Sequence, residues 1–221
     1  MTDLETVDGL ATIPKPLLEQ FATGNQVTPR LYYHPNRMVR NFFWKRLAII
    51  RRLYLRHLPI RNTCLDFGCG GVVFFPALSR DFQSVYGVDW ETREAEKILA
   101  HYHLENVRLI TGDIRTINLP VPQVQAITAP DVLEHFADLA PPVQRIHDWL
   151  VPQGLLFTSL PTENWTTISS RKITGTPKPF DHYHTAREVE NFLAGNGFRR
   201  IGGTVYAWYF PMYRISVWEK A

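Results

Sequence analysis

The stretch Cys64-Leu65-Asp66-Phe67-Gly68-Cys69-Gly70-Gly71 decides the fold of this chain. Its apolar residues predict a buried strand over 63–67, followed by a glycine turn and an apolar run compatible with a helix. Glycines at such a turn let the backbone adopt positive φ and approach a ligand closely. A helix that begins just after the turn points unpaired N–H groups at the same place. The stretch therefore predicts a binding site for a nucleotide-type cofactor.

An alternation of strands and helices continues from this stretch toward the end of the chain. The pattern is typical of α/β proteins with a parallel sheet, and two consecutive strands close the chain in place of a further strand–helix unit. Pro76 suits the first turn of a helix, so the first helix is expected to begin as late as that residue. The predicted strands are 63–67, 84–89, 107–111, 124–128, 154–160, 199–208 and 213–219, and the predicted helices are 72–79, 91–101, 140–150 and 186–196.

Length and composition limit the class of protein. A chain of 221 residues fits one large domain with an extension, and a net charge of +3 is too small to indicate nucleic acid. No apolar run reaches the roughly 18 residues that cross a bilayer, and the acidic N-terminus lacks a signal-peptide pattern. The two cysteines, Cys64 and Cys69, have no second pair to complete a zinc site, and we expect reduced thiols. We therefore expect a cytoplasmic protein without a nucleic-acid partner.

Two further aspartates follow later strands and suit a nucleoside. Asp89 ends the second strand, where a carboxylate can accept hydrogen bonds from two ribose hydroxyls, while Trp90 can pack on the base. The alternative for Asp89 is a helix N-cap. Asp113 ends the third strand and could accept from the adenine amine, with the Ile114 N–H donating to the base; its alternative is a β-turn aspartate.

The glycine turn does not fit the Gly-x-Gly-x-x-Gly fingerprint of dinucleotide-binding proteins, because the third glycine would fall on Val73. The turn and the later motifs together fit another family better. They resemble, in order and spacing, the motifs of class I S-adenosylmethionine (SAM) methyltransferases, in the small-molecule branch that includes ubiquinone- and menaquinone-pathway enzymes. The last glycine of the family's first motif falls on Val72, with Gly71 one place early. The motifs are Leu65-Asp66-Phe67-Gly68-Cys69-Gly70, Gly87-Val88-Asp89, Gly112-Asp113 and Val132-Leu133-Glu134-His135.

The resemblance implies a Rossmann-like α/β fold. Its sheet would have seven mostly parallel strands with an antiparallel last strand and helices on both faces. Residues 61–221 would form the methyltransferase domain, 161–184 a lid over the substrate, and 1–60 an N-terminal helical extension. The resemblance also implies that SAM is held by residues in or directly after the first three motifs and directly after the fourth strand: Asp66, Gly68, Cys69, Gly70, Asp89, Trp90, Asp113, Ile114, Ala129 and Pro130.

The implied reaction is methyl transfer to a small-molecule acceptor at oxygen. The fourth strand ends in Ala129-Pro130-Asp131-Val132 and lacks the Asn/Asp-Pro-Pro-Tyr/Phe sequence, which counts against nucleobase or glutamine amines as acceptors. A hydroxyl acceptor gains from a general base, and imidazole titrates near neutral pH. The candidates for the base are His135, His182 and His184.

Aromatic and basic residues are the candidates for contacting the acceptor. Tyr33 lies in an aromatic cluster that could cover the site, and Trp165 and Arg171 lie in the predicted lid. The alternatives are ordinary packing for Tyr33 and a solvated loop for the lid residues. We assign no metal. One alternative stays open, in which a divalent metal is held if the lid folds back over the fourth strand, by Glu134, His135, Asp181, His182 and His184.

The predicted helix over 37–57 is basic on one side and aromatic on the other. Such a helix can lie on an anionic membrane surface, or it can pack its apolar side and leave its arginines in water. Three other functions therefore stay open: a membrane-surface methyltransferase of a lipid or prenylated acceptor, a non-catalytic SAM-fold subunit, and a nicotinamide-dependent oxidoreductase. The basic side carries Arg37, Arg40, Lys45, Arg51, Arg52 and Arg56.

Overall fold

The computed structural model describes residues 3–22, 28–71, 73–162, 182–207 and 211–221. Two 3-10 turns supplement its helices and strands, at Arg30–Tyr33 and at Leu133–His135. In chain order the elements are β1 (Glu5–Val7), β2 (Leu10–Thr12), α1 (Lys15–Phe21), α2 (Arg37–His57), β3 (Thr63–Phe67), α3 (Phe75–Asp81), β4 (Ser84–Asp89), α4 (Arg93–Tyr102), β5 (Val107–Thr111), β6 (Val124–Pro130), α5 (Ala140–Trp149), β7 (Leu150–Pro161), α6 (Ala186–Gly195), β8 (Phe198–Tyr206) and β9 (Tyr213–Lys220).

Seven of the strands form one sheet in the order β5-β4-β3-β6-β7-β9-β8. Strand β4 pairs in parallel with β3 and β5, and β7 pairs in parallel with β6. The last strand, β9, is antiparallel to both of its neighbours, β7 and β8. The predicted seven-stranded, mostly parallel sheet with an antiparallel last strand is confirmed.

The chain divides into two compact units, residues 1–120 and 121–221. The first contains the N-terminal elements, β3 to β5 and helices α3 and α4; the second contains β6 to β9, α5 and α6. The predicted boundary between an extension and a domain near residue 60 stays a prediction. None of the helices in the described part of the chain combines the length and the apolar character needed to span a bilayer.

Local signals explain where several elements begin. Helix α3 starts at Phe75 and not at residue 72, because Pro76 belongs in its first turn. Asn36 caps α2 by accepting from the Met38 N–H, and Thr185 and Glu188 form a capping box at the start of α6. The hairpin of β1 and β2 was not predicted, although its turn residues Asp8 and Gly9, both at positive φ, are a recognised hairpin signal.

A network of polar contacts joins helix α2 to helix α3. The carboxylate of Asp81 accepts hydrogen bonds from Arg51 Nε at 2.7 Å and Arg51 Nη2 at 2.9 Å. The hydroxyl of the fully buried Tyr54 donates to the same carboxylate at 2.6 Å. Burial, followed by the charge of Asp81, raises the pKa of Tyr54 well above its ordinary value. Arg51, on the predicted basic side, is therefore part of the internal structure of the first unit.

Gly87, in the middle of β4, leaves no space for a side chain. A Cβ at this position would lie 2.2 Å from Phe75 Cζ and 3.1 Å from Cys69 Sγ, and Phe75 is fully buried. We expect Gly87→Ala to lower the free energy of unfolding by about 1–3 kcal/mol, because overpacking forces neighbours out of their rotamers. Gly195→Ala is the matched control, since a Cβ there meets nothing within 4 Å and alanine is the better helix former. Urea denaturation measures both, and equal stability of the two variants would contradict the expectation.

Candidate cofactor site and histidine cluster

The glycine turn after β3 is tied to the end of β4 by backbone hydrogen bonds. The N–H groups of Gly68 and Cys69 both donate to the Val88 carbonyl oxygen, at 2.9 and 3.1 Å. Gly68 has φ of 72° and Gly70 has φ of 51°, a region that residues with a Cβ avoid. These two positions therefore favour glycine, and the turn presents bare backbone.

The side chain of Asp89 is hydrogen-bonded to the backbone of the glycine turn. Its Oδ2 accepts from the Gly70 N–H at 2.8 Å, and its Oδ1 accepts from the Glu91 N–H at 3.2 Å. The residue is only 6% exposed, and burial raises its pKa, although the hydrogen bonds from Gly70 and Glu91 act in the opposite direction. Each carboxylate oxygen has two lone pairs, so the group can accept further bonds from a ligand. Asp89 is not a helix N-cap, because that position of α4 is Thr92.

The neighbouring predicted residues differ in their surroundings. Trp90 is 72% exposed directly after Asp89, so its ring is open to a ligand. Asp66 and Cys69 are buried, and burial raises the pKa of the Cys69 thiol well above its usual range, which keeps the thiol protonated. Ile114 is also buried.

Asp113 already has a cationic partner in this structure. Arg115 donates to its carboxylate from Nη2 at 2.7 Å and from Nε at 2.9 Å, and these hydrogen bonds lower the pKa of Asp113 to about 2. The side chain is 42% exposed, so the pair lies near solvent. An adenine amine would have to share the Asp113 carboxylate with Arg115, and this role for Asp113 stays a prediction.

The segment before α2 packs on the glycine turn. Thr28 Oγ1 donates to Glu94 Oε2 at 2.7 Å, and both residues are buried. A Cβ on Gly71 would lie 1.4 Å from Thr28 Oγ1, so glycine is required there. No local pattern of residues predicts this contact of Thr28. Tyr33, predicted to contact the acceptor, lies half-buried in the 3-10 turn of the same segment.

The second unit brings two of the three predicted histidines together. Strand β6 ends with the buried Ala129 and the half-buried Pro130, and Asp131 then adopts φ of 55° while its N–H donates to the Ser159 carbonyl at 2.8 Å. The 3-10 turn that follows carries Glu134 and His135.

The rings of His135 and His182 lie 4.7 Å apart at an interplanar angle of 82°. Each of three residues, Glu134, His135 and His182, places one ligand atom within 4.8 Å of the others. His184 points elsewhere, with Nε2 3.3 Å from the Ala137 carbonyl oxygen. Trp165, Arg171 and Asp181 lie outside the described residues.

Comparisons with known proteins agree with the glycine turn and the fold. Residues 65–158 match the family model described as "Methyltransferase domain". The ubiquinone biosynthesis O-methyltransferase of Pseudomonas paraeruginosa strain PA7 is 32% identical over 109 residues, which cover 47% of this chain and 46% of that protein. The match thus spans about half the length of that curated relative.

Solved structures share the fold over nearly the whole chain. Magnesium protoporphyrin IX methyltransferase from Synechocystis PCC 6803, with bound S-adenosylhomocysteine (SAH), has a TM-score of 0.69 at 17% identity, covering 94% of this chain and 100% of that one. The N-methyltransferase NodS from Bradyrhizobium japonicum WM9, in complex with SAH, has a TM-score of 0.68 at 16% identity, covering 93% and 97%. At these identities the likeness concerns the fold alone.

Proposed function

We propose, from the premise that residues 65–158 are a class I methyltransferase domain, that this protein transfers a methyl group from SAM to a small-molecule acceptor at oxygen. The observation that carries the proposal is the buried carboxylate of Asp89, bonded to the glycine turn through the Gly70 N–H. A carboxylate beside a bare backbone turn suits a nucleoside whose ribose hydroxyls donate to it.

The residues of the first unit fit a nucleoside sulfonium. The positive φ of Gly68 and Gly70 leaves backbone without side chains at the turn. Asp89 would hold the ribose, and the exposed ring of Trp90 would cover the adenine. The adenine edge would meet Asp113 and the Ile114 N–H.

Methyl transfer from SAM does not require the protein to form a covalent intermediate. When bound, SAM supplies a methyl group on a positively charged sulfonium, which is already an activated leaving group. The chain then has to align the acceptor and exclude water. An imidazole nitrogen of His135 or His182 would take the proton of the acceptor hydroxyl. His184 is the weaker candidate for this base, because its Nε2 lies at the Ala137 carbonyl oxygen.

Oxygen as the acceptor atom is supported by the curated relative, whose name states O-methylation. We propose a small molecule as the acceptor and the cytoplasm as the location. The two cysteines, Cys64 and Cys69, are buried free thiols, as expected in a reducing compartment.

Calorimetric titration tests the cofactor. We expect SAH to bind with one site per chain and NADH not to bind, because the turn lacks the third glycine of a dinucleotide site. Tight binding of NADH without binding of SAH would make the protein an oxidoreductase and overturn the proposal.

Transfer of labelled methyl groups from SAM tests the acceptor. We expect label to appear on phenols or catechols and not on aliphatic or aromatic amines of similar size. Label on amines alone would overturn the choice of oxygen. Binding of SAH with no transfer to either panel, or to cell-extracted small molecules, would favour the non-catalytic subunit.

A further inference from the structure

We propose that Glu134, His135 and His182 form a binding site for a divalent first-row transition ion of the Zn²⁺ type. The site lies wholly within the second unit and stands independently of the proposed methyl transfer. Two of its ligands come from the turn after β6, and the third precedes α6 by a few residues.

The spacing of the three side chains suits one small cation. One ligand atom of each residue lies within 4.8 Å of the other two. Ligands at about 2.0–2.1 Å from a bound Zn²⁺ lie about 3–3.5 Å from one another. Binding of one ion would therefore draw the three ligand atoms closer together than the 4.8 Å within which they lie.

Backbone contacts hold the two segments of the site together. The Tyr183 N–H donates to the Glu134 carbonyl oxygen at 2.9 Å, which fixes the residue next to His182 against the turn. His184 Nε2 lies 3.3 Å from the Ala137 carbonyl, and the capping box of Thr185 and Glu188 starts α6 immediately afterwards. His182 is thus placed by its neighbours before any ion binds.

The donor set selects the class of ion. Two imidazoles with one carboxylate suit Zn²⁺, Fe²⁺ or Co²⁺, whereas Mg²⁺ and Ca²⁺ prefer oxygen ligands. Glu134 is fully buried, and the low dielectric of its surroundings strengthens its attraction for a cation. Three protein ligands leave a fourth position open for water or a substrate oxygen. If the proposed methyl transfer holds, an ion here would bind the acceptor hydroxyl and favour its deprotonation. His135 and His182 would then serve as ligands of the ion, and the ion would replace an imidazole as the group that promotes loss of the proton.

Two variants of surface histidines test the site. His182→Phe keeps an aromatic ring against His135 but removes the imidazole that would bind the ion. Because His182 is half-exposed, the fold should tolerate this substitution. His57→Gln, at the end of α2, is the matched control for adventitious binding by a histidine elsewhere. Untagged, chelator-treated protein is titrated calorimetrically with ZnCl₂, and separately with CoCl₂ while the visible absorption of Co²⁺ is recorded.

We expect one equivalent of Zn²⁺ to bind to the unmodified chain and to His57→Gln, with at least tenfold weaker binding to His182→Phe. The Co²⁺ absorption should appear and be lost in parallel, and excess MgCl₂ should not displace Zn²⁺. Equal Zn²⁺ affinity of His182→Phe and the unmodified chain, or no saturable binding, would overturn the site. Titration of the same metal-free protein with SAH separates the outcomes, because SAH binding without a Zn²⁺ site would leave the proposed function standing.

Discussion

Asp89→Ala is expected to lower the affinity for SAH at least tenfold, which corresponds to about 1.4 kcal/mol of binding free energy. The substitution removes the proposed acceptor of the ribose hydroxyls, and hydrogen bonds to charged groups contribute about 1.5–3 kcal/mol. It also removes the acceptor of the Gly70 and Glu91 N–H groups, which loosens the glycine turn. Isothermal titration calorimetry with SAH, alongside circular dichroism to confirm folding, measures the effect.

The control for Asp89 is a carboxylate of the same site with different surroundings. Asp113→Asn should lower SAH affinity less, because Asp113 is partly exposed and held by Arg115. An unchanged SAH affinity in Asp89→Ala would show that this carboxylate does not contact the cofactor. A larger loss of SAH affinity in Asp113→Asn than in Asp89→Ala would show that Asp113 contributes more to cofactor binding.

The raised pKa of Asp89 adds a pH signature to the same experiment. The folded-state pKa of Asp89 lies above the ordinary 3.8, so ionisation of its carboxyl group is less favourable in the folded chain than in the unfolded chain. The free energy of unfolding therefore decreases as the pH rises through the folded-state pKa. Ligand hydroxyls that donate to the carboxylate would offset this decrease. In the unmodified chain SAH affinity should therefore fall as the pH drops toward the raised pKa, within the range where the protein stays folded, and Asp89→Asn should show a flatter profile.

The architecture followed from the sequence because its signals are local and agree with one another. The strand over 63–67 and the strand over 84–89 were predicted to the residue, since each is a short apolar run bounded by polar or glycine residues. The strand that begins at Leu150 was predicted to start at 154, because the preceding helical pattern reaches the same residues. Such boundaries depend on tertiary pairing, which a linear pattern does not contain.

The site was less accessible to sequence reasoning, since its contacts join distant residues. The motifs predicted Asp89 near the glycine turn, but the 66-residue separation of Thr28 and Glu94 carries no local signal. The proximity of His182 to His135 could be stated only as a condition, namely that the lid folds back over the fourth strand. The structure places the ring of His182 beside that of His135, whereas His184 Nε2 lies at the Ala137 carbonyl oxygen.

The charge pattern of the basic helix does not distinguish cations that face solvent from cations that are paired within the protein. Of the six cations on the predicted basic side, Lys45 pairs with Asp8, Arg40 donates to the carbonyl oxygens of His34 and Pro35, and Arg51 is held by Asp81. A test of membrane binding therefore has to change the exposed Arg37, Arg52 and Arg56 and leave Arg51 in place. Loss of liposome binding after a change of Arg51 would report an altered fold.

Asp81→Ala is expected to lower the free energy of unfolding by about 3 kcal/mol. Removing one partner of a largely buried pair leaves the other charge uncompensated, which costs about 3–5 kcal/mol for full burial. Here the Arg51 side chain is 24% exposed and the Asp81 side chain 10%, so we expect the lower end of that range. The Tyr54 hydroxyl loses its acceptor as well. For a chain of this size the midpoint of thermal unfolding should fall by about 6–12 °C.

The same network predicts a change in stability at alkaline pH. Because the folded-state pKa of Tyr54 is raised, its contribution is complete below the ordinary pKa of about 10 and is lost as the pH rises above it. Tyr54→Phe should remove this part of the alkaline loss, which thermal unfolding between pH 9 and about 11 would record.

The control for Asp81 is an ion pair of similar length on the surface. Glu19→Ala removes the contact of Lys15 Nζ with Glu19 Oε1 at 2.7 Å, and exposed pairs contribute about 0–1 kcal/mol. The double variant Arg51→Met with Asp81→Leu should recover much of the loss, because replacing both partners leaves no buried charge. If Asp81→Ala were no more destabilising than Glu19→Ala, the contacts of Asp81 with Arg51 and Tyr54 would not be what holds α2 against α3.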